Sequence, residues 1–139
     1  MHDQIKKLPT IQETLKKNKV KINKALGQNF LFDLNLTDKI VKQSKPLATT
    51  IIEIGSGPGS LTRSILKNKS AIVYAIDKDI QSKKMLNELK IIYKNRLKII
   101  TDDALHYPIW NLGKEPRQVI ANLPYNVGTK MLITWLKYI

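Results

Sequence analysis

Cysteine is absent from the 139 residues. Its absence excludes disulfide bridges, cysteine-ligated zinc and thiol catalysis. A chain without cysteine fits a reducing compartment, so a cytoplasmic location is expected. Long apolar runs are also absent. No stretch of about 18 or more uncharged apolar residues occurs, and neither a transmembrane helix nor a membrane partner is expected. The opening residues MHDQIKKLPTIQETLKKNKVK contain no apolar core of the kind a secretory signal needs. Acidic residues are scarce: 11 Asp and Glu stand against 24 Lys and Arg, and 21 of those cations are Lys. The formal charge of +13 attracts polyanions and raises their encounter rate. Charge alone does not choose between RNA, DNA and an anionic membrane. A Lys-, Ile- and Asn-rich composition spread over solvated helix faces would give the same number.

The chain is long enough for one domain with a real core, and short for a full doubly wound sheet with an accessory domain. Residues 1–23 are polar and Lys-rich; their scattered Ile, Leu and Val could make a short amphipathic turn, but the segment reads as a frayed basic arm. From residue 33 onward helices and strands alternate. Asp33 is placed to cap a helix carrying Leu36, Ile40 and Val41 on one face, ended by Pro46. Thr49 to Ile54 is an apolar, β-branched run that reads as a buried strand. Leu61, Ile65 and Leu66 mark a helix face after Gly59. Further strands are expected over Ala71–Ile76, Leu97–Thr101 and Arg117–Ala121. A helix is expected over Asp79–Tyr93, with Leu86, Leu89 and Tyr93 on one side, and another over Gly128–Tyr138. Strands separated by helices imply parallel pairing, hence a three-layer α/β sheet of Rossmann-like type. In such sheets ligands sit beyond the C-terminal strand ends, which directs attention to the loops there.

The first of those loops is Glu53-Ile54-Gly55-Ser56-Gly57-Pro58-Gly59. Glycine at every second position lets the backbone turn sharply and approach a ligand closely. The spacing is neither the G-x-G-x-x-G of dinucleotide sites nor a Walker loop. Glu53 is placed either to organise the loop or to meet an ammonium group. Asp77 ends the second strand, where a carboxylate can accept hydrogen bonds from both ribose hydroxyls of a nucleoside. Helix capping is the competing role, and it suits Asp79 better than Asp77. Asp102-Asp103-Ala104 follows the third strand. A carboxylate there can accept from an adenine amino group, although an Asp pair also forms ordinary turns. The fourth loop is Asn122-Leu123-Pro124-Tyr125. An exocyclic amine on an aromatic base is a poor nucleophile, because its lone pair is delocalised into the ring. The Asn122 side-chain oxygen and a backbone carbonyl held by the Pro124 turn can take its two protons and favour a pyramidal nitrogen. Tyr125 can stack on the extruded base. The quartet also occurs by chance in turns; its weight comes from following the fourth strand, downstream of the glycine loop and Asp77.

In this order the loops resemble those of the rRNA adenine N6,N6-dimethyltransferase family, of the KsgA type. The resemblance begins at Lys24-Ala25-Leu26-Gly27-Gln28-Asn29-Phe30-Leu31 and includes Glu53 to Gly59, Ala75-Ile76-Asp77-Lys78-Asp79 and Asp103-Ala104-Leu105. It ends at Asn122-Leu123-Pro124-Tyr125-Asn126, and so divides the chain into a basic arm over 1–23 and a partial methyltransferase domain over 24–139. It implies S-adenosylmethionine as cofactor and ribosomal RNA, in the small subunit, as substrate, with no metal. By position it places Asn29 and Leu31 on the cofactor from the N-terminal segment. Gly55 and Gly57 would sit against its amino-acid part, Asp77 on the ribose and Asp103 on the adenine. Asn122 would serve the cofactor edge and the target amine, and Pro124 and Tyr125 would complete the catalytic loop. Asp77 replaces a Glu more usual there, and Asp102 stands where Gly is common. Family members continue for roughly another hundred or more residues, so a C-terminally truncated fold lacking about three strands is expected. The alternative function is accordingly a non-catalytic remnant that binds cofactor or RNA. A nicotinamide-dependent enzyme is disfavoured by the glycine spacing and by the Asn122 loop.

Overall fold

A computed structural model describes residues 8–20, 33–69, 71–121 and 133. Four helices and four strands occur among them. Helix α1 is Ile11–Lys17 and α2 is Leu34–Gln43. Strand β1, Thr50–Ile54, leads to α3, Ser60–Leu66. Strand β2, Ile72–Asp77, leads to α4, Ile80–Tyr93. Strands β3, Leu97–Thr101, and β4, Arg117–Ala121, follow. The sheet order is β3-β2-β1-β4 and every pairing is parallel. All four strands lie within one residue of the positions expected from the apolar runs. The helix expected over Gly128–Tyr138 lies outside the described residues, apart from Ile133, which is helical.

Alternate strand residues face opposite layers, as the pleat requires. Ile51, Val73, Ala75, Leu97 and Ile120 face the helices, where they meet Val41, Leu61, Ile65, Leu86 and Leu89. Ile52, Ile54 and Ile76 face the other way and are covered by Ala104, Ile109 and the half-buried Trp110 from the connection between β3 and β4. Among the described residues, then, α2, α3 and α4 pack on one face and a loop with a 3-10 turn packs on the other.

Two expectations are corrected. The segment read as a frayed arm contains α1, whose Thr10 and Glu13 form a reciprocal capping box. Ile11 and Leu15 are buried against Met85 of α4, and that burial offsets the entropy of ordering a short helix. In α2, Asp33 does cap the helix through the Leu36 amide, but Leu36 itself is exposed. The buried stripe is Thr37 and Val41, with Thr37 hydrogen-bonded to Ser64 of α3 at 2.7 Å. A threonine replaces an expected apolar residue there because it finds a buried partner.

Gly59, the N-cap of α3, sets how closely α3 approaches α4. Its φ is +96°, and a Cβ built on it lies 2.8 Å from Leu86 Cδ2 and 3.0 Å from Leu89 Cδ1. Both leucines are fully buried and have no room to swing away. Gly59→Ala is therefore expected to destabilise the fold by about 2 kcal/mol through backbone strain and overpacking. Urea denaturation checks this; an unchanged midpoint would show that the helices separate freely.

Candidate functional site

The parallel register brings the four C-terminal strand ends to one rim. Ile54 of β1 is level with Ile76 of β2 and with Ala121 of β4, and Asp77 is level with Thr101 of β3. The glycine loop leaves β1 between β2 and β4. Its first amide, Gly55 N–H, continues the ladder to the Ile76 carbonyl at 2.8 Å. The loop then turns through positive φ at Gly55 (+73°), Gly57 (+52°) and Gly59 (+96°), a path open to glycine without strain. A Cβ placed on Gly57 meets nothing within 4 Å, so the loop borders open space there.

Asp77 organises the rim. Its Oδ2 accepts from the Gly57 amide at 2.9 Å, and its Oδ1 accepts from the Asp79 amide at 3.0 Å. One carboxylate thus ties the glycine loop to the start of α4. Each oxygen has a second lone pair available to a ligand. Asp79 carries the capping role, accepting from the Gln81 amide at 2.9 Å. The β3 loop joins the same rim through the Asp102 amide, which donates to the Asp77 carbonyl at 3.2 Å. Asp103 lies in that loop, half-buried, with Oδ1 accepting from the Leu105 amide at 2.9 Å. The Asp pair therefore does build a turn, and Asp103 Oδ2 has no partner among the described residues.

Glu53 lies behind the loop. It is 1% exposed, and it accepts a short hydrogen bond from the Thr62 hydroxyl of α3. This bond joins β1 to α3, the two elements that the glycine loop connects. Burial pushes its carboxyl up to about 8; the Thr62 bond opposes that shift and the Asp77 charge adds to it. Thr62 belongs to no spacing pattern and was not legible from the sequence. The Ser56 hydroxyl, also buried, has no hydrogen-bond partner among the described residues.

The rim fits an adenosyl amino acid in its donor set: glycines beside open space and two carboxylates at adjacent strand ends. Residues 19–139 match the model of a family described as ribosomal RNA adenine dimethylase. The chain belongs to that family. It is 47% identical over 130 residues to ribosomal RNA small subunit methyltransferase A of Rhizobium meliloti (strain 1021), covering 93% of this chain and 47% of that protein. It is 44% identical over 132 residues to the protein of the same name in Rhodospirillum rubrum, covering 94% and 46%. The chain thus spans about half the length of the curated relatives it matches. Among solved structures, 23S rRNA methyltransferase ErmE aligns with a TM-score of 0.60 and 22% identity, over 74% of this chain and 41% of that one. SAH-bound Podospora anserina methyltransferase PaMTH1 aligns with a TM-score of 0.65 and 14% identity, over 94% and 57%. These two likenesses show a shared fold.

Of the site residues expected for a member of the dimethylase family, Gly55, Gly57 and Asp77 meet through direct hydrogen bonds of the loop and strand ends, and Asp103 stands in the loop bonded to them. Asn29, Leu31, Asn122, Pro124 and Tyr125 lie outside the described residues. The strand that precedes the Asn122 loop, β4, ends at Ala121 beside Ile54, the residue before Gly55. Among the described residues no three His, Cys, Asp or Glu side chains group to hold a metal, and no helix is long and apolar enough to cross a membrane.

Proposed function

We propose that the protein is part or all of an S-adenosylmethionine-dependent enzyme that dimethylates adenine N6 in small-subunit ribosomal RNA. The observation that carries this reading is the bond from the Gly57 amide to the Asp77 carboxylate, which ties the glycine loop to the end of β2 in a chain of the dimethylase family. When bound, the cofactor supplies an electrophilic methyl group on its sulfonium. The chain's own residues position the reactants. Asp77 accepts from the ribose hydroxyls with the lone pairs left over from Gly57 and Asp79. Asp103 Oδ2 accepts from the adenine amino group. The open space at Gly57 admits the amino-acid part, with Gly55 at its back and Asn29 and Leu31 contributing from the N-terminal segment.

On the substrate side, Asn122 and a carbonyl held by the Pro124 turn accept hydrogen bonds from the N–H groups of the target amine, and Tyr125 stacks on the base. The amine needs no general base before attack, because its proton is lost after the nitrogen gains the methyl group. Positioning supplies most of the rate under this scheme. The small-subunit assignment is supported by the 44–47% identity to relatives named for that subunit. Transfer of tritiated methyl groups to undermethylated small ribosomal subunits tests it. The expected result is label in small-subunit RNA. Label confined to large-subunit RNA would overturn the subunit assignment, and calorimetric binding of the cofactor with no transfer would mark a binding module.

A further inference from the structure

Away from the rim, a cavity of about 460 Å³ opens between residues 8–12, the start of α2 and the outer sides of α3 and α4. Arg63 of α3 and Lys67, the residue that caps the C-terminus of α3, line it together with Tyr93 at the end of α4. Pro9, Ile11 and Leu34 supply apolar wall. Lys67 follows Ser60 by seven residues, which is about 10 Å along the helix axis from the glycine loop. No residue of the rim lines the cavity, which is therefore separate from it.

Its charge is unbalanced. Arg63 Nη1 donates to the Pro9 carbonyl at 2.7 Å, its Nη2 reaches Thr14 Oγ1 only at 3.5 Å, and its buried Nε–H has no acceptor among the described residues. Among the described residues no carboxylate lies within ion-pair distance of it. Glu88, the acid whose charge it feels, is bonded to Lys17 at 2.7 Å. Arg96 stands over the Tyr93 ring, 5.7 Å from its centre, and directs its donors at the carbonyls of Leu66, Asn68 and Ala71. Three cations thus gather around Tyr93, and among the described residues the one carboxylate paired with any of them is Asp38, 2.9 Å from Lys67. Burying a cation without an anion is costly, so a site of this kind is stabilised by an anion brought from outside. The planar fork of arginine suits phosphate oxygens. The volume exceeds that of a bare phosphate and falls in the range of ligand pockets, about 300–1,000 Å³. Apolar walls beside the cations suit a sugar or base attached to the phosphate. The net charge of +13 draws in a polyanion before any free nucleotide.

We infer that this cavity is a second RNA contact, holding one phosphate and its nucleotide from the strand whose adenine the rim takes. The inference rests on the RNA reading of the rim. Its test is a titration of the whole chain followed in ¹H–¹⁵N spectra, arginine side-chain resonances included, with inorganic phosphate, AMP and a short single-stranded RNA as separate probes. The RNA is expected to shift the Arg63 Nε–H and Lys67 amide signals at lower concentration than AMP, and AMP at lower concentration than phosphate. Lys67→Gln, at an exposed position, is expected to weaken RNA binding about 3-fold and reduce the salt slope by about one. Arg63→Lys keeps the charge but loses the fork, and about a 10-fold loss is expected. Both variants should bind S-adenosylmethionine as the parent does. Equal response to phosphate and RNA would make this a small-anion site and overturn the assignment. Shifts at Gly57 and Asp103 with Arg63 silent would overturn the cavity contact while leaving the RNA reading in place. RNA binding at neither place would remove both.

Discussion

Raising the pH from about 5 to about 8.5 is expected to lower the stability of the protein by roughly 3–5 kcal/mol, and Glu53→Gln is expected to abolish most of that loss. The cause is the fully buried Glu53 carboxyl, whose titration is pushed from 4.5 up to about 8 by burial, against the opposing Thr62 hydrogen bond and with a further push from Asp77. Between those two values the native state holds a proton that the unfolded chain has released. Stability is therefore complete below about 4.5, falls as the pH climbs, and levels off above about 8. The other perturbed groups act elsewhere. Burial pushes Asp38 up, but its bonds to Ser64 and Lys67 outweigh that and lower it, which confines its effect to more acidic solutions. Burial lowers Arg63, against the charges of Glu88 and Tyr93, and raises Tyr93, against those of Arg96, Lys67 and Arg63. Glutamine keeps an acceptor for the Thr62 hydroxyl and cannot ionise. Urea denaturation at several pH values checks the claim. A parent protein with a flat profile across this window would show that Glu53 is ionised in the fold.

The sheet was legible because its strands are short, β-branched and bounded by glycine or aspartate, and buried parallel strands read as continuous apolar runs. The rim was legible for a different reason. Gly55, Gly57, Asp77 and Asp103 follow strand ends, and the parallel register puts those ends side by side. What sequence could not supply were side-chain partnerships formed across elements. Thr37 with Ser64 spans 27 residues, and Thr62 with Glu53 spans nine without helical or strand periodicity. The helix Ile11–Lys17 was hidden by its lysines, since the two residues that anchor it, Ile11 and Leu15, become decisive only beside Met85. The Arg63 cavity has no motif at all. It exists because segment 8–12 passes over the C-terminal half of α3, a packing detail that no spacing rule encodes.

Asp77→Asn is expected to raise the dissociation constant for S-adenosylmethionine about 100-fold, which corresponds to roughly 2.7 kcal/mol. The aspartate uses both oxygens within the protein, one for the Gly57 amide and one for the Asp79 amide, and in the proposed role the remaining lone pairs would accept from the ribose. An amide has a single acceptor atom. If that oxygen keeps Gly57, the NH₂ group faces the Asp79 N–H, donor against donor, and the entry to α4 loosens. If it keeps Asp79, the glycine loop loses its tether. In either case one ribose hydroxyl faces a donor where it needs an acceptor, and a buried donor without a partner carries the full desolvation penalty. Asp77→Glu keeps two acceptor oxygens on a stem longer by one methylene, so it is expected to bind within a few-fold of the parent. The contrast between the two variants separates acceptor chemistry from general damage to the loop. Calorimetric titration measures both, with urea denaturation alongside to show that each variant is folded. Equal weakening in Asp77→Asn and Asp77→Glu would mean that side-chain length, not the paired acceptors, governs this corner of the rim. Full binding by Asp77→Asn would remove the ribose role altogether.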